Sequence, residues 1–182
     1  MDNEKSKTIW SVSISLDKEI IARQKRVLKT DSDYKKIAES ILRSATDLEN
    51  VIIVYIQSQS PLFIANIGIM ANVFFVSELY LKAVLYYRTV HDKSLHSHDL
   101  YALFGLLDDS TKQEIELLCN AYAPIKNYTN FLRELKNIKD GFEVLRYSYE
   151  LNGFAYNVSF ALGLMCALKH IAEREIEKKT TE

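Results

Sequence analysis

The chain contains few of the residues that interrupt helices or form tight turns. It has five Gly and two Pro among its 182 residues. An all-β fold needs many such residues at its turns, so their scarcity argues against a sandwich or a barrel. Hydrophobic residues make up 48% of the chain, which is enough for the core of one domain of this length. We therefore predict an all-α fold with long helices.

The chain also has few cysteines and a small net charge. Cys119 and Cys166 are the only cysteines, too few for a disulfide framework or a thiolate metal cage, and we expect both thiols to be buried. The net charge of −1 gives no overall attraction to nucleic acid or to an anionic membrane, so such binding would need a local patch. The N-terminal residues MDNEKSK lack the apolar segment of a secretory signal. We expect a cytoplasmic protein with no cofactor, no metal and no membrane contact.

The most apolar stretch, residues 61–88, predicts a central helix. Pro61 suits the first position of a helix, where its missing N–H costs nothing. Apolar residues then cover nearly the whole circumference as far as Val76, which is typical of a buried helix. Asn66 and Asn72 interrupt the run, and its apolar part is shorter than the ~18 residues of a membrane span. We predict that this is the most buried helix of a soluble core.

A periodic apolar pattern comes before the central helix. After Asp33 the apolar positions recur three or four residues apart, at Ile37, Ile41, Ala45, Leu48, Ile52 and Ile56. This spacing predicts an amphipathic helix. The helix should end just before Pro61, because a proline disfavours helical geometry in the residue that precedes it. The short connection predicts an αα-hairpin, in which the central helix runs antiparallel to the first.

The first thirty residues follow a different pattern. Residues 8–16 alternate between apolar residues and serines, which predicts a short β-like segment that needs a backbone partner. Residues 19–29 could supply that partner in a hairpin, and a second copy of the chain could equally supply it. We therefore describe residues 1–30 as an N-terminal extension and residues 31–182 as the helical domain.

A small basic cluster follows the β-like segment. Its members are Arg23, Lys25, Arg26 and Lys29. Such a cluster can bind phosphate groups. Acidic residues flank it on both sides, however, and short charged runs of this kind are usually solvated surfaces. We predict a solvated surface here.

Three segments of the helical region together resemble a known family. They are SELYLKAVLYYR at residues 77–88, HSHDLYALFGLL at residues 96–107 and FEVLRYSYE at residues 142–150. In this order, on successive predicted helices, they are similar to the HEPN superfamily of prokaryotic helical proteins. The resemblance covers about residues 35–175.

The resemblance implies a fold and two kinds of function. HEPN proteins are up-and-down bundles that usually form homodimers, and for this chain we expect four to six helices. Many members are metal-independent endoribonucleases of toxin–antitoxin and antiviral defence systems, whereas others bind RNA, nucleotide or protein without catalysis. The active members carry an Arg followed after about four to six residues by a His, and two such motifs face each other across the dimer. In them His is the acid or base, and Arg stabilises charge on the phosphate.

This chain departs from that spacing. Two residues separate Arg88 from His91 and seven separate it from His96, while Arg146 has no His after it until His170. The standard ribonuclease motif is therefore absent. We expect a non-enzymatic module that self-associates and binds a partner protein or RNA in a prokaryotic defence or stress system. The alternative is a divergent metal-independent endoribonuclease with a composite active site at a dimer interface.

Three histidines, His91, His96 and His98, share one polar loop. They could coordinate a metal, but a zinc site needs ligands at set spacings and a fourth group. Such histidines are more often surface polar groups, and we interpret His91 and His96 in this way. The resemblance gives His98 more weight. If the protein is an enzyme, the candidate catalytic residues are His98 or His96 with Arg88 or Arg146.

A second group of polar residues surrounds Arg146. Arg146, Tyr147 and Glu150 fall close together on a predicted helix, and Tyr149 follows Tyr147 by two residues. In one interpretation Arg146 binds a phosphate or a base in a groove lined by tyrosines. In the other it pairs with a carboxylate inside the protein, because a charge in an apolar bundle is tolerated mainly when it is paired. The candidate binding residues are Arg146, Tyr147, Tyr149, Glu150, Glu78 and Lys82.

Glu78 is the carboxylate that we expect Arg146 to meet. Glu78 follows a buried turn of the central helix, and Lys82 stands four residues after it in the favourable order for an ion pair. A carboxylate that leaves water needs a cation or several donors, and an arginine can supply two parallel N–H bonds. We therefore predict a direct Glu78–Arg146 contact that is structural and not catalytic.

Overall fold

The computed structural model of the protein describes residues 30–58, 67–90, 93–123, 130–147 and 155–177. The chain divides into two compact units, Met1–Asp33 and Tyr34–Glu182, and the structure describes only the last four residues of the first. The β-like segment, the basic cluster, His91, Tyr149 and Glu150 lie outside the described residues. The predictions made for them stay predictions.

Helices account for all the regular structure in the described residues. They are α1 (Asp31–Ser58), α2 (Ile67–Tyr87), α3 (Leu100–Gly105), α4 (Asp109–Tyr122), α5 (Phe131–Asn137), α6 (Gly141–Arg146) and α7 (Val158–Ile176), with a 3₁₀ turn at Lys93–His96. No strand occurs in these ranges, which confirms the all-α prediction. The first helix ends at Ser58, close to the proline that was predicted to stop it.

Helices α2, α4 and α7 alternate in direction. Arg88, just after the end of α2, pairs with Glu175 near the end of α7, so these two helices run the same way. The first half of α4 meets the end of α7 through an ion pair between Glu114 and Arg174. Helix α4 therefore runs opposite to α7, as an up-and-down bundle requires.

Helix α1 is antiparallel to α2, as the αα-hairpin predicts. The ring of Tyr34 near its start lies 5.8 Å from that of Tyr86 at the end of α2. The buried residues of α1 are spaced alternately four and three apart, at Ala38, Leu42, Ala45, Glu49 and Ile52. Such spacing is typical of helices that pack with coiled-coil geometry. The apolar stripe predicted for α1 therefore has the right helical period, but the buried face is rotated slightly around the helix. Ile41, Leu48 and Ile56 consequently lie at the edge of the core.

The core has two central helices. Helix α2 contributes twelve buried residues and α7 contributes eleven, whereas the sequence singled out α2 alone. Helix α2 is also the one described helix that is long and apolar enough to cross a membrane. Of an apolar stretch of 18 residues in this helix, 61% is buried inside the protein. Such burial is typical of the core helix of a bundle.

A buried polar cluster joins α1 to these two helices. The carboxylate of Glu49 is 2% exposed, and Tyr80 Oη of α2 donates a hydrogen bond to it at 2.6 Å. Lys169 Nζ of α7 lies 2.7 Å from the same oxygen. Burial, and after it the bond to Glu49, raises the pKa of Tyr80 far above its usual value. The buried charge of Glu49 is therefore met by a hydroxyl donor and by a cation.

Candidate functional site

The third turn from the end of α2 brings a buried carboxylate to the side of the bundle. Glu78 is 1% exposed. Lys82 lies one turn further along the helix, and its Nζ is 2.8 Å from Glu78 Oε1. This pair was expected from the spacing of the two residues. A buried carboxylate has room for further donors, and the loop before α3 supplies the next one.

His98 is that donor. Its Nδ1 lies 3.0 Å from both carboxylate oxygens of Glu78. The loop that carries His98 is fixed on either side. Asp99 caps α3 by accepting a hydrogen bond from the backbone N–H of Ala102 at 2.8 Å, and the N–H of Leu100 donates to the carbonyl of Lys139 at 2.9 Å. The imidazole is therefore held against α2 by its own loop and by the turn before α6.

The Glu78–His98 pair determines which ring nitrogen can meet a ligand. An ionised carboxylate only accepts hydrogen bonds, so Nδ1 must carry the proton that Glu78 receives. In the neutral imidazole Nε2 then carries a lone pair, and the His98 side chain is 41% exposed. A histidine whose Nδ1 is oriented by a carboxylate is the arrangement that general acid–base catalysis uses.

Helix α6 approaches α2 closely next to this pair. A Cβ atom at Gly141 would lie 2.6 Å from Phe74 of α2, so only glycine permits the approach. The next residue, Phe142, stacks on Phe75 of α2 at 4.5 Å between ring centroids. The same ring lies 5.8 Å from that of His98. The start of α6 thus places an aromatic side chain beside the histidine.

Arg146 lies at the other end of α6 and points back over its aromatic neighbours. The guanidinium carbon is 5.1 Å from the centroid of Phe142 and 5.4 Å from that of Tyr147. Both Arg146 and Tyr147 are exposed. Among the described residues Arg146 makes no ion pair with a carboxylate. We call the surface made by His98, Phe142, Arg146 and Tyr147 the His98–Arg146 face.

The predicted contact between Glu78 and Arg146 is wrong. Glu78 is paired with Lys82 and His98 instead, so its charge is already met. The guanidinium of Arg146 lies on the ring of Phe142 and not on the carboxylate. The prediction did not anticipate that Arg146 would lie on an aromatic ring.

The other catalytic candidates are not part of this face. Arg88 donates to Glu175 of α7 through Nε and Nη2, and to Asp108 and Thr111 at the start of α4 through Nη1 and Nη2. These bonds use four of its five N–H groups and tie three helices together. His96 is exposed in the 3₁₀ turn, and no side-chain hydrogen bond to it is present in the described part of the chain.

The described residues contain no cluster of three His, Cys, Asp or Glu side chains with the geometry of a metal site. Comparison of the chain with family models, with curated proteins and with solved structures found no match. The candidate function therefore depends on the chemistry of the His98–Arg146 face and on the resemblance described above.

Proposed function

We propose that this protein is a HEPN-like helical module that self-associates as a homodimer and binds single-stranded RNA at the His98–Arg146 face. Its biological setting, as the resemblance implies, is a prokaryotic defence or stress system. The described face contains the cation of Arg146, the exposed ring of Tyr147 and the half-buried ring of Phe142. Proteins that bind single strands combine these two elements, with the cation on the backbone and the rings against the bases.

The environment of Arg146 is the main support for RNA binding. An arginine on the surface of a bundle is commonly neutralised by a nearby carboxylate, as Arg174 is by Glu114. Arg146 instead lies over two aromatic rings, and these leave its N–H groups able to bind a phosphate. Since the whole chain carries a net charge of −1, a local feature of this kind is what RNA binding requires.

Fluorescence anisotropy of a labelled single-stranded RNA tests this proposal. We expect Arg146→Gln to weaken binding by about tenfold, the loss typical of one phosphate or stacking contact. Arg133→Gln is the matched control, because it removes the same charge from an exposed position on α5. We expect its affinity to stay within about twofold of the wild type. Equal losses in the two variants would indicate non-specific attraction and contradict the proposal.

A metal-independent ribonuclease is the second candidate, and the Glu78–His98 pair favours it. With Nδ1 held by Glu78, Nε2 can remove the proton of an RNA 2′-hydroxyl. The 2′-oxygen then attacks phosphorus, the bond to the 5′-oxygen breaks, and that oxygen takes up a proton. Arg146 would neutralise the charge on the phosphate during this step.

Incubation of RNA with the purified protein in EDTA separates the two candidates. If the protein is a ribonuclease, cleavage should persist in EDTA and be lost in His98→Ala. His96→Ala is the control, since it alters an exposed histidine two residues away. RNA that is bound but stays intact would leave binding as the function. Cleavage that survives in His98→Ala would contradict the proposed catalytic role of that residue.

A further inference from the structure

One aromatic ring contacts both Arg146 and the histidine that holds Glu78. Phe142 contacts the guanidinium of Arg146 on one side and the imidazole of His98 on another. His98 in turn holds the carboxylate of Glu78. The contacts therefore run from the cation to the ring, from the ring to the imidazole, and from the imidazole to the carboxylate.

The position of Phe142 is set by its packing against α2. It stacks on Phe75 at 4.5 Å with an interplanar angle of 21°, and it is half-buried against the core. Gly141, which allows α6 to approach α2, immediately precedes it. Phe75 therefore packs against the ring of Phe142. The side chain of Arg146, one helical turn further along α6, also lies over this ring.

In the absence of this ring, Arg146 would compete with Lys82 and His98 for the carboxylate of Glu78. A buried carboxylate and a guanidinium interact strongly in a low-dielectric site, and the planar guanidinium can bind both carboxylate oxygens at once. Arg146 would also be neutralised, and a neutralised arginine is a poor ligand for a phosphate.

We propose that Phe142 is a positioning residue that keeps the Arg146 guanidinium away from Glu78, so that Glu78 orients His98 while Arg146 stays available to a phosphate. The separation of the two charges is a property of the folded chain alone. Its importance for RNA depends on the proposed function. The two parts are therefore tested separately.

A double-mutant cycle measures the separation without RNA. The cycle uses Glu78→Gln, Arg146→Gln and both changes together, followed by equilibrium unfolding in urea. In the wild-type chain we expect no coupling. The effect of the double mutant on the unfolding equilibrium constant should then equal the product of the two single effects to within about twofold. In a Phe142→Ala chain we expect Glu78 and Arg146 to become coupled by about tenfold.

Three further backgrounds make this cycle decisive. Tyr147→Ala removes the other ring under Arg146 but leaves Phe142 in place, so we expect no coupling there. Phe142→Leu fills much of the same space and should also leave the charges uncoupled. Phe142→Val is too short to separate them, and it repeats the test if Phe142→Ala fails to fold. Absence of coupling in both the Ala and the Val backgrounds would overturn the positioning role.

RNA affinity tests the consequence for the proposed function. We expect Phe142→Ala to lower affinity about as much as Arg146→Gln does, with no further loss when the two changes are combined. Unchanged affinity in Phe142→Ala, despite coupling in the unfolding cycle, would overturn the link between charge separation and RNA binding. If the wild-type protein does not bind RNA, the proposed function fails, and the unfolding cycle still decides the role of Phe142.

Discussion

Glu49 and Tyr80 form a buried hydrogen bond of 2.6 Å between positions 31 residues apart in the sequence. Lys169 completes the cluster from α7, so one carboxylate connects three helices. A polar residue at a core position of a helix with heptad spacing is a known means of fixing register. In this protein Glu49 occupies such a position on α1, and its partners Tyr80 and Lys169 lie on α2 and α7.

Removal of the Tyr80 hydroxyl should destabilise the protein. Tyr80→Phe takes a donor from a buried charged acceptor, and such bonds contribute about 1.5–3 kcal/mol. Tyr86→Phe is the control, because no hydrogen bond from the Tyr86 hydroxyl occurs in the described ranges, and we expect a change within about 0.5 kcal/mol. The free energy of unfolding in urea measures both. Similar values for the two variants would show that the Glu49 cluster adds nothing to stability.

A methyl group at Gly141 should be poorly tolerated. Gly141→Ala would set a Cβ atom 2.6 Å from Phe74, and overpacking of this kind costs about 1–3 kcal/mol. Gly105→Ala is the matched control, because no atom lies within 4 Å of a Cβ placed there. For Gly105→Ala we expect an unchanged or slightly higher melting temperature, since alanine favours helix. A normal melting temperature in Gly141→Ala would mean that α6 has room to move.

Thr89→Gly should stabilise the protein. Thr89 has a φ of 55°, which a β-branched residue adopts only at a cost. The N–H of Val90 bonds to the carbonyl of Leu85, and the N–H of Thr89 to that of Tyr86, which is the helix ending that favours glycine. We expect a gain of about 1 kcal/mol in unfolding free energy, and a smaller change for Thr89→Ala. A loss of stability in Thr89→Gly would show that the threonine side chain outweighs its backbone strain.

Stability should fall on acidification through Asp108. Hydrogen bonds from Thr111, and after them the guanidinium of Arg88, hold the pKa of this carboxyl well below its usual value. The folded state therefore favours the ionised form. Its contribution is complete at neutral pH and is lost progressively below about pH 5 as the carboxyl is protonated.

Asp108→Asn isolates that contribution, because asparagine still caps α4 but carries no charge. Urea unfolding between pH 7 and pH 3 should show a shallower loss of stability in the variant than in the wild type. Parallel curves for the two proteins would assign the acid sensitivity to other carboxyls.

The helices could be predicted from the sequence because their signals are local. Apolar spacing indicated α1 and α2, and the proline at position 61 indicated where α1 ends. The burial of Glu49 could not be predicted in this way, because it depends on Tyr80 and Lys169, which lie far away in the sequence. In the sequence Glu49 stands beside the predicted apolar stripe and resembles a residue of the polar outer face.

The candidate site was predicted in part. Glu78 and Lys82 form the expected pair because they are four residues apart on one helix. The approach of His98 to Glu78 depends on the path of the loop before α3, and Arg146 lies on the ring of Phe142, which stacks on Phe75. These are tertiary contacts between segments with little apolar periodicity, so residue spacing along the sequence could not predict them.

NMR of the imidazole groups observes contact between RNA and His98 most directly. The chain has four histidines, so its proton–carbon spectrum should contain four imidazole Cε1 signals, assigned by His98→Gln and His170→Gln. When a short single-stranded RNA is added, we predict that the His98 signal shifts with saturation. The His170 signal, from an exposed ring hydrogen-bonded to Tyr122 on the α4–α7 surface, should stay in place. A shift of His170 without His98, or no shift of His98 at a saturating RNA concentration, would contradict RNA binding at the His98–Arg146 face.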